Sequence, residues 1–327
     1  MPYKVAIIGL GGISGTHIAQ WQKLADEAAI VAGADVNAEA VSNAEAAHGF
    51  KGYTDWRAML EAERPDIVSI CTPPFLHREM AVDCLQRGIH VLCEKPIAAT
   101  VEDAEAMAAA ADAAEAKLMI AYCHRFHGPM MKLKEVLDSG IIGQPIFFRG
   151  AFTGMVRFDT NHRASKQMAG GGALMDNGSH AADLYQYLLG KMTRVSCRAG
   201  TFIGQMETED VGIILFTGEN GCFGEIIAGY ALPGDFTQWI VTGEKGVLEV
   251  ADYWGGPIRF RPHEGEGAQD FACDNSASRF DRMFDHFLDC VKTGTEPSTN
   301  AHTALHIARV MDAAYREAQE PGLPVKL

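Results

Sequence analysis

The chain has 327 residues, of which 47% are hydrophobic and 21% charged, so it is no disordered segment, and it exceeds the length at which a single core usually keeps growing. Two domains are the expectation. Its formal net charge of -14 argues against nucleic acid or an anionic membrane as partner, because both are held by basic patches.

From the N-terminus, short apolar runs alternate with helical stretches. Strands are predicted at 5–10, 30–35, 67–72, 90–94 and 117–123, each apolar throughout as in a sheet covered on both faces, with crossover helices such as 100–115 between them. This is the pattern of an α/β Rossmann domain, a doubly wound parallel sheet, set here at residues 1–121. Beyond it, turn residues separate paired strands. The runs 213–216 and 222–228 flank Glu219-Asn220-Gly221, and 238–242 and 247–250 flank Glu244-Lys245-Gly246. With helices near 173–189, 279–293 and 300–319, residues 122–327 read as a C-terminal α+β domain on an open, largely antiparallel sheet.

The eight cysteines include no C-x-x-C pair, so they read as buried thiols of a reducing compartment, and no metal site is expected. No uncharged apolar run nears the roughly 20 residues of a membrane span. The first strand begins within a few residues of the N-terminus, so no leader is expected either, and the reading is a cytoplasmic protein.

Gly9-Leu10-Gly11-Gly12-Ile13-Ser14 closes the first strand and opens a helix, the setting in which a glycine motif holds a dinucleotide pyrophosphate. The last position departs from the Gly or Ala of that motif. Asp35, at the end of the second strand, stands where a carboxylate accepts from the adenosine ribose 2′-hydroxyl. No Lys or Arg occurs between Lys23 and Lys51, and with no cation to meet a 2′-phosphate, NAD is expected rather than NADP.

Glu94-Lys95-Pro96 ends the fourth predicted strand, which puts Lys95 at the carboxyl edge of the sheet. Downstream, Gly170-Gly171-Gly172 leads into a helix on which Asp176 and His180, four apart, share one face. A histidine with a carboxylate neighbour suits general acid–base work.

Gly9-Leu10-Gly11-Gly12-Ile13 with His17, Thr72-Pro73-Pro74 with His77, Glu94-Lys95-Pro96, Arg125-Phe126, Gly140 with Gly143, and the triple-glycine segment through Asp176, His180 and Asp183 follow one another in this order. Over nearly its whole length the chain thereby resembles the glucose-fructose oxidoreductase, inositol dehydrogenase and rhizopine-catabolism (Gfo/Idh/MocA) family. The resemblance implies an oxidoreductase acting on CH–OH donors, with hydride moving between nicotinamide and a secondary hydroxyl or carbonyl of a sugar, polyol or cyclitol. Lys95, Asp176 and His180 are then the catalytic set: His180 takes the hydroxyl proton, Lys95 holds the oxygen, and Asp176 hydrogen-bonds the sugar or the base.

By the same resemblance, Gly9, Gly11, Gly12, Ile13, Asp35, Thr72, Pro73, His77, Glu94, Lys95 and Arg163 approach the cofactor. For Arg163 the tryptophan that commonly precedes it is replaced by His162. The segment 152–167, with Arg157, Asp159, Asn161, His162 and Lys166, and the aromatics Tyr230, Trp239, Tyr253 and Trp254 are candidates for shaping a polyhydroxylated-substrate pocket. A homodimer or homotetramer through the C-terminal sheet is also implied. Two alternatives stay open: glycoside hydrolysis through transient oxidation by retained NAD, and a non-catalytic NAD- and sugar-sensing regulator.

Overall fold

A computed structural model of the chain describes residues 1–158, 162–265, 267–319 and 325–326. The candidate pocket residues Asp159 and Asn161 lie outside the described residues. Two compact units are present, Met1–Ala121 with Phe280–Leu305, and Tyr122–Arg279 with His306–Leu327.

In the first unit, apolar runs form β1 (Tyr3–Ile8), β2 (Ala28–Ala34), β3 (Lys51–Tyr53), β4 (Ile67–Ile70), β5 (His90–Cys93) and β6 (Leu118–Ile120). They pair in parallel in the order β3-β2-β1-β4-β5-β6. The crossovers are α1 (Ser14–Lys23), α2 (Ala38–His48), α3 (Trp56–Glu63), α4 (His77–Gln86) and α5 (Val101–Ala113). Their starts are written locally: Asn37 accepts from the Glu39 and Ala40 amides, Asp55 from Arg57, and Thr100 from Asp103. The sheet has six strands where five are expected, because β3 is a three-residue edge strand with no apolar run to announce it.

The helix α9 (Arg279–Thr293) is read from sequence with the C-terminal half, yet Phe280–Leu305 packs in the first unit. The cause is aromatic. Phe284 and Phe287 meet the fully buried Trp21 of α1 edge-on, with ring centroids 5.0 and 6.4 Å away, and Thr299 exchanges hydrogen bonds with the Ile120 backbone.

The second unit carries α6 (Gly128–Asp138), β7 (Pro145–Thr153), α7 (Lys166–Ala169), α8 (Ser179–Leu189) and β8 (Met192–Gly200). The strands β9 (Val211–Gly218), β10 (Phe223–Gly229), β11 (Trp239–Gly243), β12 (Gly246–Val250), β13 (Ile258–Pro262) and β14 (Gln269–Phe271) follow. After them α10 (Ala301–Gln319), counted in this unit from His306 onward, leads to β15 (Val325–Lys326). The nine strands form one sheet, β14-β13-β12-β11-β7-β10-β9-β8-β15, antiparallel except where β10 runs parallel to β7. Residues alternate along β9, so Ile214 and Phe216 are buried while Ile213 and Leu215 are exposed. On the buried face Tyr185 of α8 meets Phe216 and Phe148 with centroids 4.4 and 5.2 Å apart.

Among the described residues no helix is long and apolar enough to cross a membrane. The cysteines are free thiols, all buried except the half-buried Cys273.

Candidate active site

In the first unit the chain leaves β1 through Gly9, whose φ of +89° favours glycine. A Cβ at Gly9 would lie 2.8 Å from the Cys71 carbonyl carbon and 2.9 Å from Thr72 Cγ2, so the turn fits only without a side chain. Gly11 and Gly12 differ. They are exposed, they lack positive φ, and a Cβ on either would meet nothing within 4 Å. Neither the backbone nor internal packing requires them to be glycine, which fits a turn kept low for a molecule lying over it. Ile13, beside them, is 38% exposed and caps α1 without a side-chain hydrogen bond, leaving the helix start to its own amides.

The half-buried Asp35 fastens this turn: Oδ2 accepts from Leu10 N at 2.8 Å and Oδ1 from Asn37 N at 2.8 Å. The turn and the predicted ribose-binding carboxylate are thus one assembly.

Thr72, Pro73 and Lys95 are half-buried beyond the ends of β4 and β5, and the Lys95–Pro96 bond is cis. Glu94 is buried and faces His17 Nε2 at 2.9 Å. Burial alone would raise the Glu94 carboxyl, but the His17 hydrogen bond and charge outweigh it, and its pKa falls below the ordinary value. Burial likewise lowers the His17 imidazole, yet Cys71 and Glu94 more than offset it and its pKa rises. Because burial raises the Cys71 thiol, which stays neutral, the Glu94 carboxylate is the partner that holds His17 charged. Oε2 of Glu94 also accepts from Lys95 N at 3.2 Å, tying the pair to the lysine's backbone.

His77, expected to line the cofactor, is fully buried. Its ring is clamped between backbone carbonyls, Nε2 at 2.9 Å from Thr72 O and Nδ1 at 3.0 and 3.2 Å from Pro96 O and Ile97 O. Burial lowers its pKa against these contacts. Its work is to hold the Thr72 and Pro96 segments together.

In the second unit the triple glycine is shaped by close approach. A Cβ on Gly171 would fall 1.9 Å from Tyr315 Oη and one on Gly172 2.0 Å from the Glu209 carbonyl. The Glu209 carboxylate accepts from Gly172 N at 3.0 Å, Leu174 N at 2.8 Å and Tyr315 Oη at 2.8 Å. Burial raises the Glu209 pKa, and these donors oppose it.

The chain then enters α8 through a π turn, Leu174–Gly178, closed by Ser179 N donating to Leu174 O. Asp176 sits in this wider turn, so its relation to His180 is not the α-helical one expected from a spacing of four. Such turns recur at functional sites. Asp176 Oδ2 accepts from Tyr230 Oη at 2.7 Å and from Arg163 Nε at 2.9 Å. Arg163, expected beside the cofactor, is thereby given an ion-pair partner within its own unit. Burial, then the Asp176 charge, pushes the Tyr230 hydroxyl far above its ordinary value and keeps it a donor.

His180, 7% exposed, faces the Tyr122 and His124 rings at 5.7 and 4.4 Å. One turn on, Asp183 takes a bidentate ion pair from Arg125, Nε to Oδ2 at 2.8 Å and Nη2 to Oδ1 at 2.6 Å, both groups buried. This pair locks α8 to the turn Cys123–Phe126. Sequence reading named neither Cys123 nor His124 for the site, nor Glu209 and Tyr315, which come from far along the chain. Of the named aromatics, Tyr253 hydrogen-bonds His124 Nδ1, Trp239 is core at 1% exposure, and Trp254 is exposed.

A sequence profile of an oxidoreductase family with an NAD-binding Rossmann fold matches residues 3–122, and the profile of the GFO/IDH/MocA C-terminal domain matches residues 130–249. The D-apiose dehydrogenase of Paraburkholderia graminis is 30% identical over 99% of this chain and 90% of its own length. The rhizopine catabolism protein MocA of Rhizobium meliloti is 27% identical over 95% of this chain and 94% of its own. The crystal structure of the WlbA dehydrogenase from Bordetella pertussis, with NADH and UDP-GlcNAcA, superposes with a TM-score of 0.89 at 25% identity, covering 100% of this chain and 98% of that one.

Proposed function

The chain belongs to the GFO/IDH/MocA oxidoreductase family, and from that premise we propose that it is an NAD-dependent dehydrogenase oxidising a secondary hydroxyl of a sugar, polyol or cyclitol, or running the reverse. The observation that carries the reading is Asp176 in the π turn before α8, its Oδ2 held by Tyr230 and Arg163, with His180 following on the helix. A turn so constrained around a carboxylate and a histidine suits proton transfer to or from a hydroxyl.

His180 takes the hydroxyl proton, Lys95 holds the oxygen and stabilises charge developing on it, and Asp176 hydrogen-bonds the substrate or the base. Bound nicotinamide supplies the hydride acceptor. The exposed Gly11 and Gly12, with Gly9, Ile13 and the helix start behind them, take the pyrophosphate. Asp35 takes the ribose hydroxyls and disfavours NADP, while Thr72, Pro73, Glu94, Lys95 and Arg163 approach the rest of the dinucleotide. The exposed Ile213, Leu215 and Phe223 of β9 and β10 are read as the face on which copies associate into a dimer or tetramer.

The test is reduced-cofactor formation across sugars, inositols and anhydrosugars, with NAD and NADP supplied separately. Turnover with NAD that falls roughly 10²–10³-fold in Lys95→Ala supports the reading, since that is what losing one group that stabilises the developing oxyanion costs. A folded Lys95→Ala with wild-type turnover, or release of an aglycone without net reduction, would overturn it.

A further inference from the structure

Cys123, His124 and His180 bring one thiol sulfur and two imidazole nitrogens within 4.8 Å of one another. Cys123 and His180 are 6% and 7% exposed, and His124 is half-buried. Its parts are fastened together. Cys123 and His124 lie on the turn that Arg125 ties to Asp183, one helical turn beyond His180 on α8. The His124 and His180 rings meet edge to face at 4.4 Å, and the Tyr253 hydroxyl at His124 Nδ1 orients the first of them.

We propose that Cys123, His124 and His180 form a binding site for a zinc-class divalent ion, and that its occupancy takes His180 out of proton transfer. One sulfur and two nitrogens is a donor set for zinc-class ions, whereas magnesium and calcium select oxygens. Three protein donors leave a fourth position for water or a substrate oxygen. Tetrahedral zinc with bonds of about 2.0–2.3 Å sets its ligand atoms about 3.5 Å apart, so closing from 4.8 Å needs an inward shift of about 1 Å, within reach of side-chain rotation. As the sulfur–metal bond forms, the Cys123 thiol releases its proton to solvent, and no electrons change hands. A metal-bound imidazole nitrogen has no lone pair for the hydroxyl proton. The effect on turnover therefore rests on the proposed role of His180, and the binding does not.

The test is titration of the metal-stripped full chain with Co²⁺, whose near-ultraviolet charge-transfer band reports a thiolate ligand and whose visible bands report tetrahedral geometry, followed by displacement with Zn²⁺ and assay of dehydrogenase activity. The expected result is saturation at a single ion per chain, loss of the charge-transfer band in Cys123→Ser, and a Zn²⁺ inhibition constant weakened at least about tenfold in Cys123→Ser and in His124→Gln, each against its own metal-free rate. Should Cys123→Ser fold poorly, His124→Gln carries the test alone. Absence of the band in the wild type, its survival in Cys123→Ser, or Zn²⁺ binding unchanged in His124→Gln overturns the site. A thiolate band without inhibition keeps the site and overturns the proton-transfer role of His180.

Discussion

The turn after β1 and the turn before α8 are both built on glycines, and for opposite reasons. At Gly11 and Gly12 an added Cβ would meet nothing, whereas at Gly171 and Gly172 it would collide with Tyr315 and Glu209 of the chain itself. On the proposed reading the first turn is kept bare for a ligand; the second is kept bare so that distant side chains can clamp it. The first presents backbone amides with one carboxylate, Asp35, behind them. The second presents side chains, Asp176 and His180, and borrows Glu209, Tyr315, Tyr230 and Arg163 to hold them.

If the second turn holds the proton-transfer machinery, its loss has the largest effect. His180→Ala should lower kcat by roughly 10²–10⁴-fold, the usual worth of a positioned general base, while NAD affinity measured by calorimetry stays close to wild type. Equal loss of NAD affinity and of kcat would erase the division between the two turns.

Matched alanine substitutions sharpen the contrast. Gly172→Ala drives a Cβ to 2.0 Å from a backbone oxygen and should destabilise the fold by about 3 kcal/mol or more, read as a lowered Tm. Gly11→Ala meets open space and should leave the unfolding transition within about 0.5 kcal/mol, yet weaken NAD about tenfold or more by lifting the dinucleotide off the turn. A Gly11→Ala protein that binds NAD normally would remove the reason offered for that glycine.

The same difference decides what the sequence could tell. The parallel sheet, the glycine turn and Asp35 were legible because each is a local pattern, an apolar run ending in small residues or an acid at a strand end. The place of Lys95 past the end of a strand was legible for the same reason, since Glu94-Lys95-Pro96 is contiguous. Asp176 and His180 could be named, but the π turn that carries Asp176 could not, because Glu209 and Tyr315 enforce the path of the segment leading into it through hydrogen bonds no local pattern contains. For His77 the motif position suggests a ligand contact, and no local pattern tells that its ring is wedged among carbonyls. The helix α9 joins the first unit because Trp21 and Phe284 meet, a pairing across most of the sequence.

Tyr230→Phe removes one hydrogen bond to the Asp176 carboxylate while keeping the ring. A hydrogen bond to a charged group contributes about 1.5–3 kcal/mol to stability, so Tm should fall, and kcat should fall roughly tenfold as well if Asp176 acts in the reaction. A fall in Tm with unchanged kcat would make the contact purely structural.

The smallest effect expected is on pH dependence, and it belongs to the first unit. Glu94 has a folded pKa below its ordinary value, so its contribution to stability is present above about pH 4.3 and fades as pH falls through the folded value. His17 has a folded pKa raised above its ordinary value, so its contribution is full below about pH 6.5 and fades as pH rises from there through the folded value. The pair therefore stabilises most between about pH 4.3 and 6.5, and wild-type stability should decline above it by at most about 1.4 kcal/mol per pH unit. In Glu94→Gln the counter-charge is gone, burial favours neutral His17, and the decline should flatten or reverse between pH 6 and 8. Denaturant unfolding of both proteins across that range reads the slopes. Slopes that are flat in both proteins would mean that His17 is neutral in the folded wild type, and the ion pair would reduce to a neutral hydrogen bond beneath the strand end that carries Lys95; equal declines would mean that His17 keeps its charge without Glu94.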